Sequence, residues 1–171
     1  MTKRLIGFAI GDRKLNHRIY YVTTKDFEKY SETKMFFNPD FSAIDATILK
    51  KEKKYFMFVK NENLIPPEKN IRITTSDRAM GSYPIEVSKP ITGNYWAEGP
   101  TPLEVGEWVY VYFDKYMEHK YGSIRSRDMV NWEDVSDNLV VPKGIRHGTT
   151  FKVSKEVYDK VKSYRSEPVM R

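Results

Sequence analysis

Short apolar, β-branched and aromatic runs fill this chain, and clusters of Gly, Pro, Asn, Asp and Ser separate them. Runs of that length between turn signals predict strands. The first is the apolar run from Leu5 to Ile10. A polar loop from Gly11 to Arg18 follows, then a β-branched and aromatic strand from Ile19 to Thr24. Lys34 to Phe37 is a short strand ended by Asn38-Pro39-Asp40. Ile44 to Ile48 and Tyr55 to Val59 read as a hairpin turning at the charged segment Lys50 to Lys54. Ile71 to Thr75 is a further strand, and Ile85 to Val87 closes that group. Gly99 to Val105 and Trp108 to Phe113 form another hairpin, turning at Gly106. Gly122 to Arg125, Leu139 to Val141 and Thr149 to Val153 complete the strands. Ser154 is placed to cap one short helix from Lys155 to Tyr164, with Val157 and Val161 on one face. The last six residues read as frayed. The fold class is therefore all-β with a short C-terminal helix.

The strands recur. Asp26, Asp77 and Asp128 follow Ile-containing strands at intervals of 51 and 51 residues, each just after a Thr or Ser. A small polar residue with an Asp braces a tight turn by bonding its own backbone. Asp45 and Glu98 each lie ten residues before an aromatic, Tyr55 and Trp108, so the two hairpins superpose with Asp45-Ala46-Thr47 on Glu98-Gly99-Pro100. Glu98 is 53 residues after Asp45, and His147 is 49 after Glu98. A period of this length with several strands per unit is the signature of β-propeller blades. The chain reads as one incomplete propeller of three to three and a half blades over residues 1–171. The repeats run 1–43, 44–96 and 97–145, with a closing strand and helix over 146–171. The innermost strands of such blades line a central channel, so Asp45, Glu98 and His147 are expected to meet at one funnel.

Composition narrows the chemistry. The 171 residues contain no cysteine, which removes disulfides, thiolate metal sites and thiol nucleophiles, and fits a reducing, cytoplasmic setting. The N-terminal apolar run is short for a signal peptide and leads into Asp12-Arg13-Lys14, not a small-residue cleavage site. No segment is long enough to span a membrane. The net charge is +6, but the lysines are scattered and sit at turns, which reads as a solvated surface and not a nucleic-acid interface.

Two carboxylates and an imidazole around one funnel suit glycoside hydrolysis, which needs one carboxylic acid at the leaving oxygen and a second carboxylate across the sugar ring. Glu98, in Tyr95-Trp96-Ala97-Glu98-Gly99-Pro100, is the better acid, because its aromatic neighbours are expected to desolvate it and raise its pKa. Asp45 is expected to hold Glu98 in the right state and position. His147 is the organiser of the channel, orienting a carboxylate, a water or a bound ion. Trp96 and Tyr95 offer flat faces to a sugar, and Arg146 completes the candidate substrate-binding set. Nothing in the local spacing demands a metal, and no cofactor motif is present.

These residues resemble glycoside hydrolase family 43 and its relatives, five-bladed propellers that include arabinofuranosidases and xylosidases. The resemblance rests on Asn16 to Phe27, Ile44-Asp45-Ala46-Thr47-Ile48, Trp96-Ala97-Glu98-Gly99-Pro100, Tyr121 to Asp128 with Asn131-Trp132, and Arg146-His147-Gly148-Thr149. It implies Glu98 as general acid, Asp45 as the residue that tunes and orients it, His147 at the channel centre, and inverting action on arabinose- or xylose-containing glycans. The family also carries a general-base Asp on its first blade. Here only 44 residues precede Asp45, and Asp12, the one acid before Asn16, has no family motif around it. The expectation is a chain without that base, weak or inactive alone, whose open sheet edges pair in a homo-oligomer. A non-catalytic carbohydrate-binding or interaction module on the same scaffold is the alternative.

Overall fold

A computed structural model describes residues 4–10, 16–142 and 144–164. Ten strands form three antiparallel meanders. The first sheet is β1 (Arg4–Ile10), β2 (Arg18–Thr24) and β3 (Lys34–Phe37). The second is β4 (Ala43–Lys51), β5 (Lys54–Asn61) and β6 (Asn70–Ser76). The third is β7 (Glu98–Val105), β8 (Trp108–Lys115), β9 (Lys120–Ser126) and the two-residue β10 (Glu133–Asp134). The first strands stand together, β4 lying against both β1 and β7. This is the propeller arrangement, with three sheets stacked around the line of their inner strands.

Strand β5 shows why the sheets stack. Met57, Phe58 and Val59 are all fully buried, because both faces of this strand are covered. Met57 and Val59 pack with Ile19, Phe37, Ala43 and Tyr83 between the first two sheets. Phe58 packs with Ile71, Ile73, Val109, Val111, Phe113 and Ile124 between the second and third. Each such side chain contributes about 1.5–3 kcal/mol on leaving water. The middle sheet therefore has two apolar faces.

The true register of the repeat is 54 residues. Lys51 pairs with Lys54 and Val105 with Trp108 at the hairpin ends; Thr47 pairs with Phe58 and Thr101 with Tyr112; Ile44 pairs with Lys60 and Glu98 with Asp114. The superposition expected from sequence was thus one residue out, and Asp45 corresponds to Gly99, not to Glu98. A β-bulge sits at the same place in both inner strands, where Asp45-Ala46 and Gly99-Pro100 each oppose a single residue. The first bulge residue is left-handed in both cases, with φ 51° at Asp45 and 61° at Gly99.

The Asp turns are corrected similarly. Thr24 Oγ1 accepts from the Phe27 amide and Asp26 Oδ1 from Glu28 and Lys29; Ser126 Oγ and Asp128 Oδ1 repeat this with Met129, Val130 and Asn131. In the middle sheet Ser76 Oγ accepts from the Arg78 amide. Asp77 stands one position before the place that Asp26 and Asp128 occupy, so its even spacing is not a structural equivalence.

Three expected strands are absent. Ile85 to Val87 runs irregularly beside β6; Pro84 and Pro90 interrupt any ladder, and backbone bonds from Ser88 N–H to Ile73 O and Ile91 N–H to Ile71 O alternate with hydroxyls, Ser88 Oγ and Thr92 Oγ1 taking the Ile73 and Ile71 amides. Leu139 to Val141 is replaced as the outer element by β10 and a 3₁₀ turn at Ser136–Asn138, where Ser136 Oγ takes the Ser123 amide. Thr149 to Val153 is irregular, because Thr101 Oγ1 accepts the Thr150 amide at 2.9 Å in place of a backbone carbonyl. The helix α1 spans Lys155–Ser163 with Ser154 accepting from Val157 N–H, and it buries none of its residues. Val157 and Val161 are exposed. Among the described residues no helix is long and apolar enough to cross a membrane. Asp12 to Lys14 and the last residues, 165–171, lie outside the described residues.

Candidate glycan site at the meeting of two bulges

The site is built where the bulges of β4 and β7 face each other. At a left-handed position Asp is among the better tolerated L-residues, since its short side chain bonds nearby backbone. Asp45 uses that side chain across the sheet boundary: its Oδ2 accepts the Gly99 amide at 3.0 Å. The inner strands are thus tied beside Glu98. Gly99 has a second reason to be glycine. A Cβ there would lie 2.9 Å from His147 Nδ1, so the imidazole rests directly on the bare backbone.

From this position His147 Nε2 meets Glu98 Oε1 at 2.8 Å. The acid atoms of Asp45 and Glu98 and a ring nitrogen of His147 all lie within 4.8 Å of one another. A cleft of about 330 Å³ opens beside this group; Asp45 and His147 line it with Ala46, Thr47, Gly99, Pro100, Thr101, Gly148 and Thr149, and Glu98 is not part of its lining.

Charge is arranged in an alternating row. Lys60 Nζ, on a side chain only 2% exposed, donates to Glu98 Oε2 at 2.9 Å and lies 2.6 Å from Glu62 Oε2. The Glu62 contact is an ion pair without hydrogen-bond geometry. Glu62 Oε1 is also bonded by Lys69. On the other side Arg146 Nη2 is 3.7 Å from Glu98 Oε1, and its Nε is bonded to the fully buried Asp114. Asp114 is the cross-strand partner of Glu98, and its Oδ1 accepts nothing from the described residues. The Tyr116 ring lies 4.6 Å from Lys60 Nζ, and Trp96 packs beside it, tilted, at 5.9 Å between centroids.

This arrangement overturns one expectation. Burial pushes the Glu98 carboxyl up, but the bonds from His147 and Lys60 outweigh it and hold the group below the usual carboxylate range. Burial likewise lowers the Lys60 ammonium, and its contacts with Glu62 and Glu98 more than reverse that, leaving it above the usual lysine range. Glu98 is therefore a clamped carboxylate here, not an acid raised by aromatic neighbours. A metal is not assigned: both Glu98 oxygens already carry donors, and Lys60 and Arg146 bring positive charge to the same carboxylate.

The sequence matches, over residues 9–159, a family-43-related group described as "Probable glycosyl hydrolase domain". The chain belongs to this family. Solved structures agree on the fold. A thermostable family-43 glycoside hydrolase is similar at a TM-score of 0.64 and 13% identity, over 86% of this chain and 57% of its own. An endo-arabinase from Bacteroides thetaiotaomicron gives 0.54 and 17%, over 74% and 52%. A xylan β-1,4-xylosidase from Bacillus halodurans gives 0.55 and 14%, over 77% and 27%. The chain spans about half the length of the first two. No curated protein sequence is significantly similar.

Among the site residues expected of this glycosyl hydrolase domain, Asp45, Glu98, His147 and Arg146 lie together. Trp96, 36% exposed, stands beside Tyr116 at the end of the charge row. Tyr95 does not join them. Its ring stacks on Phe113 at 5.9 Å, with Lys115 Nζ 3.8 Å from its centroid, and its hydroxyl donates to Asp134 at 2.6 Å. Burial and that bond raise its pKa. It packs the third sheet from a bend in which its amide bonds the Gly93 carbonyl.

Sequence reasoning missed Lys60, Glu62, Lys69 and Asp114. A signal was available for two of them. Lys60 and Asp114 directly follow the apolar runs of β5 and β8 at equivalent positions of the 54-residue register, where a charge at the end of a buried run needs a partner.

Proposed function

We propose that the cleft beside Asp45, Glu98 and His147 takes arabinose- or xylose-containing glycans, and that its chemistry is the acid side of an inverting glycoside hydrolysis. In such a reaction a carboxylic acid protonates the departing glycosidic oxygen while a base-activated water attacks the opposite face of the sugar. Glu98 is the residue for the leaving oxygen, and Asp45 orients it through the Gly99 amide. His147 holds the near oxygen of Glu98, Arg146 is placed for a sugar hydroxyl, and Trp96 offers an aromatic face. The observation that carries this reading is the convergence of two carboxylates and an imidazole within 4.8 Å, beside a cleft that Asp45 and His147 line.

A second reading, a carbohydrate-binding module without turnover, is favoured by the ionised state of Glu98, which has no proton to give while Lys60 and His147 hold it. The experiment is hydrolysis of aryl arabinofuranosides and xylosides alongside oligosaccharide binding. Turnover that Glu98→Gln abolishes supports the enzyme. Binding without turnover, weakened by Trp96→Ala, supports the module. Neither binding nor turnover on any pentose glycan refutes both.

A further inference from the structure

We propose that Lys60 is the positioning residue of this site: its buried ammonium grips the inner oxygen of Glu98, fixes the side chain against His147, and keeps the group a carboxylate, so that an acceptor for a sugar hydroxyl stands beside the cleft. The proposal deepens the second reading above, binding without turnover, and rests on it for the ligand, though not for the role of Lys60.

A lysine is almost never this buried without partners. The described residues give Lys60 three: Glu62 at 2.6 Å, Glu98 at 2.9 Å and the Tyr116 ring at 4.6 Å. A structural role needs only Glu62, which sits next but one in sequence. Instead the ammonium spans from Glu62 to Glu98, so the second and third sheets are joined through the candidate acid itself. Lys69 completes the row by bonding Glu62, which leaves two cations and two carboxylates in alternation. Within this row no charge is left uncompensated, and neutralising Glu98 removes one of the two carboxylates that pair with a desolvated ammonium.

Every charged group facing Glu98 bears on its ionisation. Asp45 approaches from β4, Lys60 and Glu62 from the end of β5, Asp114 and Tyr116 from β8 and the residue after it, and Arg146 and His147 from the segment before the helix. Arg146 is engaged by Asp114, and Asp45 is aimed at the Gly99 amide. Lys60 is the cation in direct contact with Glu98 on its inner side.

The test follows the Glu98 carboxyl carbon by ¹³C NMR through a pH titration, in the wild type, Lys60→Met and Lys60→Arg, with Glu98→Gln to assign the signal. The expected result is an upward move of the Glu98 midpoint in Lys60→Met and its return toward the wild-type value in Lys60→Arg. An unchanged midpoint in folded Lys60→Met overturns the proposal. Should Lys60→Met not fold, Lys60→Gln keeps a donor without the charge and is read by the same rule. Xylotriose and arabinotriose binding is measured in parallel. If neither sugar binds the wild type, the glycan reading fails, while the titration still decides what Lys60 does.

Discussion

Replacing Gly99 by Ala separates the backbone demand at the bulge from the packing of the site. Gly99 has φ +61°, and Gly106, in the turn of the same hairpin, has φ +60°. An L-residue in that region costs about 1–2 kcal/mol, so this part of the effect is common to Gly99→Ala and Gly106→Ala. The surroundings differ. A Cβ on Gly106 meets nothing within 4 Å, whereas on Gly99 it lies 2.9 Å from His147 Nδ1 and 3.1 Å from Cε1. The imidazole must move, and its 2.8 Å bond to Glu98 goes with it. His147 is half exposed, so that bond is worth only about 0.5 kcal/mol after screening. The displaced ring adds a similar amount. Gly99→Ala should thus be about 1 kcal/mol more destabilising than Gly106→Ala. Urea unfolding with a shared slope resolves that difference as a shift in midpoint. The imidazole ¹⁵N resonances of His147 should also move in Gly99→Ala and stay in place in Gly106→Ala. Equal midpoints with unmoved resonances would show that Gly99 serves φ alone and that His147 is not seated on it.

The 54-residue register makes Phe58 and Tyr112 equivalent, yet Phe58 is fully buried between two sheets while Tyr112 is only partly covered. Phe58→Ala should cost about 3–5 kcal/mol and Tyr112→Ala about half of that by chemical denaturation; equal losses would show that the third sheet is as fully covered as the second. Asp128 accepts the amides of Asn131 and Val130, which hold its carboxyl well below its ordinary value of 3.8. A depressed folded pKa gives stability that is present above the unfolded value and lost as pH falls through the folded one. Asp128→Asn keeps the side-chain turn without the charge, so its unfolding midpoint should fall less steeply than the wild type's on acidification between roughly pH 4 and pH 2; parallel curves would remove the linkage.

Short apolar and aromatic runs bounded by turn residues made the hairpins legible. Leu5 to Ile10, Tyr55 to Val59 and Trp108 to Phe113 were all found this way. The strands that failed were those whose backbone bonds go to hydroxyls or are cut by proline, as at Ser88, Ser136 and Thr101. Such runs cannot distinguish a hydroxyl that accepts an amide from a carbonyl that does. Trp96 and Tyr95 illustrate a different limit: adjacent aromatics look alike in sequence, and only the bend before β7 separates the one beside the charge row from the one packed on Phe113.

The one-residue error in the repeat explains how the site works. Had Asp45 and Glu98 been equivalent positions, each would face the channel independently, and their approach would depend on how two sheets happen to lean. In the 54-residue register Asp45 is instead equivalent to Gly99, and Ile44 to Glu98. Asp45 is thereby one step out of phase, and that step lets its carboxylate reach the amide of the residue following Glu98. A hydrogen bond to backbone fixes the separation of the two acids more firmly than side chains meeting across a channel. The same stagger sets Lys60 opposite Ile44 and Asp114 opposite Glu98, so one sheet supplies the cation for Glu98 and the other the anion for Arg146. The site is therefore made by breaking the symmetry of the repeat, and a pattern search that assumes the symmetry finds its members without finding what holds them.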